Sequence, residues 1–318
     1  MKLTWKKKGL IFKPDGKHKW MYSHAQVPCP IIIDDKCRIF YTCRPEPDEH
    51  GNSLSYVSYV DVDRYNLSKI LYVHNTPILE LGGPGDFDEF GIHPVCLIRN
   101  NKEIYFYYQG WERGYSVPYK TSLGLAISNN EGNSFKKKSQ GPLFSRAPLE
   151  PYLENGFFIL KENDTYYMWY ATCNEWVNCD GKLEPYYFIV SAESSDGINW
   201  VRYPTPLFET AYTKEVNGRP TVIKLNGYYH MWFCYRDIYD FRSGKGGAYR
   251  IGYAYSTNLK NWIRDDTKSG ISLSDSGWDS QMQAYPYVIE IDKKIYLFYN
   301  GNNFGREGFG YAELDCDL

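Results

Sequence analysis

One pattern occurs five times along this chain, and a repeat of this length restricts the possible folds more than any other feature. The repeats align on Pro28, Pro94, Asn155, Pro220 and Pro286, at spacings of 66, 61, 65 and 66 residues. Each unit has an apolar run, a polar turn, an aromatic run and a third run rich in Gly, Ala, Ser and Tyr, and a fourth run follows in all but the last. Four strands per period are typical of a propeller blade. The sequence therefore predicts an all-β fold, a five-bladed β-propeller with four antiparallel strands per blade.

The fifth unit lacks its fourth strand, because the chain stops at Leu318. A matching segment stands at the other end of the chain: WKKKGLIF at residues 5–12 closely resembles FKKKSQGPLF at residues 135–144. We expect this N-terminal strand to complete the last blade and close the ring, which leaves no large open sheet edge. No Pro/Ser-rich or highly charged linker divides residues 1–318, so we expect a single domain.

Composition excludes several classes of partner. The net charge is −2 and neither half carries a basic run, so we expect no nucleic-acid partner. The N-terminus lacks the apolar core of a signal peptide, and no stretch approaches the roughly 18 apolar residues of a membrane span. We expect a cytoplasmic protein without a membrane span. The eight cysteines lack paired CxxC spacing, so we interpret them as reduced core residues.

Candidate site residues follow from the propeller geometry. First strands line the central channel, so residues just before them should converge on one end of it, which we call the funnel. Five residues before the aligned positions the sequence has Ser23, Glu89, Glu150, Glu215 and Gln281. One residue before them it has Val27, His93, Glu154, Arg219 and Tyr285. When carboxylates share a restricted pocket, their pKa values move apart, so one carboxyl stays protonated at neutral pH while another stays ionised. Cleavage of a glycosidic bond requires such an acid and such a carboxylate.

Aromatic residues make up 18% of the chain, and those beside the funnel, such as Trp111 and Tyr285, are suited to stacking on sugar faces.

A structural alternative exists for every carboxylate, since a Glu before a strand can pair with an Arg or accept backbone hydrogen bonds. Functional alternatives also stay open. The chain is an enzyme acting on glycosidic linkages, or a non-catalytic glycan-binding propeller, since a fold does not fix a function.

The sequence resembles the five-bladed propeller glycosidases, the superfamily that contains glycoside hydrolase families 43, 32, 62, 68 and 130. The resemblance spans nearly the whole chain and rests on SHAQVPCP with RIFYTCRP, DFDEFGIHP with YYQGW, SDGINW, EVNGRPTV with MWFCYRD, and GWDSQMQAYPYV with FYNGN. More narrowly, the chain looks like family-43/32-like proteins associated with bacterial surface-polysaccharide synthesis. This resemblance implies an enzyme that cleaves or transfers a glycosidic linkage in a small glycan or a surface-polysaccharide precursor.

Roles carried over by position assign Glu215 as general acid, Asp88 or Glu89 as base or nucleophile, and Glu150 as the carboxylate that orients substrate and tunes pKa. The first blade departs from the family pattern, because it offers Ser23, His24 and Gln26 at the funnel and no carboxylate. Two explanations are open. The catalytic pair lies on blades two to four, or the enzyme uses an external nucleophile, as the family-130 phosphorylases use phosphate.

An external phosphate nucleophile needs a binding site, and the chain has cationic residues suited to form one. Arg44, Arg219, Arg236 and His93 are candidates for binding phosphate or the carboxylate of an acidic sugar, to which Arg offers bidentate contacts. The remaining substrate-binding candidates are His24, Gln26, Trp111, Glu154, Gln281 and Tyr285. The resemblance also allows a central divalent ion such as calcium, but the sequence shows no ligand set, so we predict no cofactor and assign no metal ligands.

Overall fold

The computed structural model describes residues 3–49, 53–242 and 246–315. It confirms the predicted fold, five antiparallel four-stranded sheets arranged in a ring. Blade one contains β2 (Ser23–Ile33), β3 (Lys36–Arg44), β4 (Tyr56–Asp63) and β5 (Asn66–Val73). Blade two contains β6 (Gly91–Asn100), β7 (Glu103–Arg113), β8 (Tyr119–Ser128) and β9 (Lys136–Lys137).

The other three blades have the same strand order. Blade three contains β10 (Glu154–Glu162), β11 (Thr165–Cys179), β12 (Lys182–Ser194) and β13 (Val201–Tyr203). Blade four contains β14 (Glu215–Leu225), β15 (Tyr228–Asp237), β16 (Arg250–Ser256) and β17 (Ile263–Arg264). Blade five contains β18 (Ala284–Ile291), β19 (Lys294–Asn300), β20 (Phe309–Asp315) and β1 (Thr4–Phe12). Short 3₁₀ turns occupy Asp266–Lys268 and Asn303–Gly305.

The ring closes as the sequence predicts. Strand β1 pairs with β20, with Trp5 opposite Leu314 and Lys7 opposite Ala312. The first strands contact one another in order around the centre, β2 with β6, β6 with β10, β10 with β14, β14 with β18, and β18 with β2. Because the two ends of the chain share one sheet, the last blade depends on both of them.

Cysteine placement agrees with the reading of these residues as reduced core side chains, for the part of the chain that the structure describes. Seven cysteines are free thiols and six of them are buried, while Cys179 is half-buried. Cys316 lies outside the described residues. Burial raises the pKa of the buried thiols, for example that of Cys29 to about 12, so they stay protonated and unreactive.

An ion pair inside the closing sheet gives the first prediction. The ammonium of Lys7 lies 2.7 Å from Oδ2 of Asp279, whose side chain is buried, whereas the neighbouring Lys6 pairs with exposed Asp315. We expect Lys7→Met to lower the free energy of unfolding by about 1–3 kcal/mol, since a buried carboxylate loses its cation. Lys6→Met should cost less than about 1 kcal/mol, as exposed pairs do. Urea denaturation measures both, and equal losses would show that the buried pair contributes no more to stability than the exposed one.

Candidate functional site

A β-bulge in the first strand of each blade directs side chains towards the funnel. The pairing register shifts at the same place in all five blades, between Gln26 and Cys29 in blade one and between Gly218 and Thr221 in blade four. The bulge places one residue per blade around the axis: Val27, Pro94, Gly156, Arg219 and Tyr285. All except Pro94 have positive φ, a conformation that bulges impose and that re-aims side chains.

These register shifts correct the alignment made from sequence. The structure aligns Pro94 and Gly156, not His93 and Glu154, with Arg219. Gly156 has φ +58°, and a Cβ there would lie 2.7 Å from the backbone nitrogen of Arg219. Glycine is therefore required where blades three and four approach most closely.

The funnel contains two adjoining cavities that share seven lining residues, an inner part of about 130 Å³ and an outer part of about 270 Å³, and we call them together the cavity. Aromatic side chains form much of its wall: Trp111, Tyr119, Tyr187, Tyr249, Tyr285, Phe241 and Phe304. Trp111 stacks on His93 with ring centroids 5.0 Å apart, and it contacts Tyr119 at 4.5 Å. Polar and charged side chains from several blades also converge on it, as they do in small-molecule binding sites.

Three arginines give the cavity its charge. Arg44 lines both parts of it, Arg219 lies at the base and Arg236 lines the outer part. None of the three has a carboxylate partner among residues 3–49, 53–242 and 246–315. Arg219 instead donates to the carbonyls of Phe157 at 2.7 Å and Val95 at 3.2 Å, and Arg236 donates from Nε to the hydroxyl of Tyr249 at 3.1 Å. Arg219 and Arg236 are buried and Arg44 is half-buried, and such cations without counter-charges leave a positive cavity.

Both histidines of the funnel are neutral because of this environment. Burial lowers the pKa of His24 to about 3, and the nearby cations Arg44 and Arg306 lower it further. Burial also holds the pKa of His93 well below its ordinary value, with smaller contributions from Arg44 and Arg219. Neutral histidines next to arginines can hydrogen-bond a ligand, while the arginines carry the charge.

The predicted catalytic carboxylates do not line this cavity. Glu215 is fully buried and accepts two hydrogen bonds from Arg264, at 2.7 and 3.1 Å. Glu150 pairs with Arg202 at 2.7 Å, and Asp88 pairs with Lys137 at 2.7 Å. Glu89 is half-buried and accepts from the backbone N–H of Gly85 at 2.9 Å. The expectation that these four side chains converge on the funnel is therefore wrong, because each is held within its own blade.

A repeated structural unit explains the three buried carboxylates. In blades two to five, an acidic residue at or shortly before the start of the first strand pairs with a basic residue on the fourth strand, and we call these contacts the blade ion pairs. They are Asp88–Lys137, Glu150–Arg202, Glu215–Arg264 and Asp279–Lys7. The basic residue lies opposite an alanine of the third strand in all four: Ala126, Ala192, Ala254 and Ala312. A small side chain there leaves room for the Lys or Arg to cross the sheet.

Tyrosine hydroxyls bond to two of these carboxylates, and a methionine takes the place of the carboxylate in blade one. The hydroxyl of Tyr170 donates to Glu150 at 2.7 Å, and that of Tyr299 donates to Asp279 at 3.0 Å. Blade one has no acidic residue at the equivalent place, where Met21 instead accepts a hydrogen bond from Tyr41 at 3.0 Å. Blade one therefore lacks a blade ion pair, and this accounts for the carboxylate that is missing from its sequence.

Eight of the ten substrate-binding candidates line the cavity: His24, Gln26, Arg44, His93, Trp111, Arg219, Arg236 and Tyr285. Two do not. Gln281 is exposed, and its backbone carbonyl accepts from Arg250. Glu154 is fully buried behind the wall, and both of its carboxyl oxygens lack a hydrogen-bond partner in the structure. Burial raises the pKa of Glu154 to about 8, so it carries a proton at neutral pH.

Several cavity residues were not among the candidates predicted from the sequence. Tyr187 and Tyr249 each stand seven residues before the serine that ends the third strand, Ser194 or Ser256, and this recurrence was visible in the repeats. Tyr119 is the first residue of the third strand of blade two. Gln109 lies opposite His93 and accepts from the backbone N–H of Gly156 at 2.9 Å. Glu184 lines the outer part but pairs with Arg242 at 3.0 Å, and long-range contacts of this kind leave no local pattern.

A central calcium does not fit this site. The guanidinium of Arg219 occupies the axis, bonded to first-strand carbonyls of two other blades. In the described part of the chain, no three His, Cys, Asp or Glu side chains are grouped so that they can hold a metal ion. Separately, no helix within the described ranges has the length and apolar character needed to cross a membrane.

Comparison with known proteins gives a clear relative and a clear fold. No protein-family model matches the chain. The "Uncharacterized protein Rv1502" of Mycobacterium tuberculosis is 32% identical over 315 residues, covering 98% of this chain and 100% of the relative. A solved structure described as a glycoside hydrolase has a TM-score of 0.75 at 19% identity, covering 100% of this chain and 93% of that one.

A thermostable family-43 glycoside hydrolase has a TM-score of 0.62 at 17% identity, covering 92% of this chain and 88% of that one. Identities this low demonstrate a shared fold and leave the chemistry to the site itself. The chain therefore belongs to the family of the uncharacterized mycobacterial protein Rv1502, and its fold is that of the five-bladed β-propeller glycoside hydrolases.

Proposed function

We propose that the protein is a carbohydrate-active propeller whose funnel binds a sugar carrying a carboxylate or phosphate group. The observation that carries this proposal is the set of three funnel arginines, Arg44, Arg219 and Arg236, which have no carboxylate partner in the described part of the chain. Retaining buried charge without a counter-ion is costly, so an anionic ligand gains more from this cavity than a neutral one does.

The walls favour a sugar as the carrier of that anion. Trp111, Tyr119, Tyr187 and Tyr249 present ring surfaces to the cavity, and such surfaces pack against the apolar faces of sugar rings. Gln26, Gln109 and Asn155 add neutral groups that hydrogen-bond hydroxyls. The glycoside hydrolase fold supports the same class of ligand.

The arrangement of acids bears on catalysis. Hydrolysis by two carboxylates needs both of them beside the scissile bond. Glu184 is the carboxylate that lines the cavity, and it is paired with Arg242. This favours a second candidate function, transfer of the glycosyl group to phosphate, in which phosphate held by Arg44 and Arg219 is the nucleophile and one protein acid suffices. Release of a sugar 1-phosphate from a glycoside panel in phosphate buffer, and its absence without phosphate, distinguishes transfer from binding alone.

Titration with acidic, phosphorylated and neutral sugars tests the binding proposal. We expect glucuronate, galacturonate or glucose phosphates to bind more tightly than glucose and galactose in isothermal calorimetry. Arg44→Gln should weaken that binding about 10- to 100-fold, because one charge-assisted hydrogen bond contributes about 1.5–3 kcal/mol.

A matched control is Arg99→Gln, an exposed arginine that pairs with Glu131 outside the funnel. This variant should bind as the wild type does. Neutral sugars binding as tightly as every charged one, or unchanged affinity in Arg44→Gln, would contradict the proposal.

A further inference from the structure

The base of the funnel is closed, and this limits which part of a glycan can reach it. Arg219 extends from blade four across the axis to the carbonyls of Phe157 in blade three and Val95 in blade two. Cys29, Cys96 and Tyr287, on the first strands of blades one, two and five, lie near the guanidinium. All three are buried, so the channel below Arg219 is filled by side chains.

The sides of the funnel are also high. Strands β11 and β12 have 15 and 13 residues, longer than any other second or third strand, and their hairpin rises above the rest of blade three. Trp176 on this hairpin contacts Tyr119 of blade two, with ring centroids 5.8 Å apart. On the opposite side, Phe304 of blade five packs edge-on against Phe241 of blade four at 6.0 Å. Among the residues that the structure describes, these contacts make the cavity a pit with one entrance.

Charge is distributed along the depth of this pit. Arg219 and Arg44 line the inner part, while Arg242 stands at the entrance, where its side chain is 52% exposed and pairs with Glu184. A ligand that enters therefore meets a paired arginine first, and then the unpaired Arg236 and Arg44 on the way to Arg219 at the closed end. The deepest group of the ligand is the one that needs a negative charge.

We infer that the protein recognises the end of an acidic glycan, with the charged group of the terminal sugar seated against Arg219 and Arg44 and the rest of the chain leaving through the entrance. An internal residue of a polymer has a chain on both sides, and a pit with one entrance accommodates only one. This inference rests on the proposed function and adds the position in the glycan that is bound.

The experiment compares galacturonate, trigalacturonate and long-chain polygalacturonate at equal concentrations of galacturonate units and at physiological salt, which suppresses non-specific attraction to the polymer. We expect binding per unit to fall in proportion to chain length, because only one end per molecule is recognised. Arg44→Gln should lower the affinity for all three about 10-fold or more, which places them in the same site.

Two results overturn the inference while leaving the proposed function intact. In the first, the polymer binds as well per unit as the monomer does. In the second, sugar phosphates bind and no member of the galacturonate series does. If neither uronates nor sugar phosphates bind, the proposed function fails as well, so the two failures are distinguishable.

Discussion

Replacing Glu215 with glutamine is expected to destabilise the fold and to leave ligand binding nearly unchanged. Glu215 is fully buried, and Arg264, which donates to both of its oxygens, has a side chain only 10% exposed. Removing one partner of a buried ion pair typically costs about 3–5 kcal/mol, and the contact of Arg264 with Asp266 at 2.7 Å places this case near the lower end, about 3 kcal/mol. Urea denaturation measures the loss.

Binding provides the second readout for the same variant. Glu215 does not line the cavity, so the affinity of folded Glu215→Gln for acidic sugars should stay within about 2-fold of wild type, a change of less than about 0.5 kcal/mol. Glu193→Gln is the matched control, since Glu193 is partly exposed and lies 3.7 Å from Lys260, and it should cost less than about 1 kcal/mol. Full stability combined with lost turnover on a glycoside would instead identify Glu215 as the general acid.

The repeat predicted the fold because it is a property of the whole chain. Turn residues, aromatic second strands and the match of residues 5–12 to residues 135–144 each fix one element of a blade, and together they fix the ring. The same repeat predicted which blade position faces the funnel. It did not give the direction of each side chain there, because one extra residue in a bulge reverses which face a side chain occupies.

The basic partners of the buried carboxylates could nevertheless have been predicted from the sequence. Every blade ion pair uses a basic residue two positions after an aromatic one: Trp5 and Lys7, Phe135 and Lys137, Trp200 and Arg202, Trp262 and Arg264. Each also uses an alanine in the third strand. Such a recurrence in four blades indicates a structural role, since a catalytic constellation uses different residues from different blades. Asp279 escaped notice because the alignment reached Gln281 instead, although Trp278-Asp279 repeats Phe87-Asp88.

For the funnel arginines, the positions were predictable from the sequence but the absence of partners was not. Arg44, Arg219 and Arg236 were recognised from sequence because their positions, in the first strand for Arg219 and at the end of the second strand for the other two, follow from the geometry of the fold. That they have no carboxylate partner in the described residues was not predictable, because it depends on where every acid of the chain lies. The strength of the anion site is therefore a tertiary property.

Glu154 occupies a place that neutral amides fill in other blades. The register puts it in line with Asn217 of blade four and Gln283 of blade five. Asn217 donates to Glu215 at 3.3 Å, and Gln283 donates to Asp279 at 3.0 Å. A protonated carboxyl resembles an amide in shape and can donate in the same way. Burial raises the pKa of Glu154, the charge of Glu150 raises it further, and Arg202 partly opposes both.

This equivalence predicts how stability depends on pH. The pKa of Glu154 is about 8 in the folded protein and 4.5 for an ordinary glutamate, so its folded-state advantage is complete below pH 4.5 and is lost as pH rises through 8. Compared with Glu154→Gln, the wild type should lose a few kcal/mol of unfolding free energy between those values, at about 1.4 kcal/mol per pKa unit. Taking the difference between the two proteins removes the opposite contribution of His24 and His93, whose pKa values burial lowers. Urea denaturation at several pH values measures it. Parallel pH profiles would show that Glu154 is ionised in the folded protein, and that the amide-like interpretation of this position is wrong.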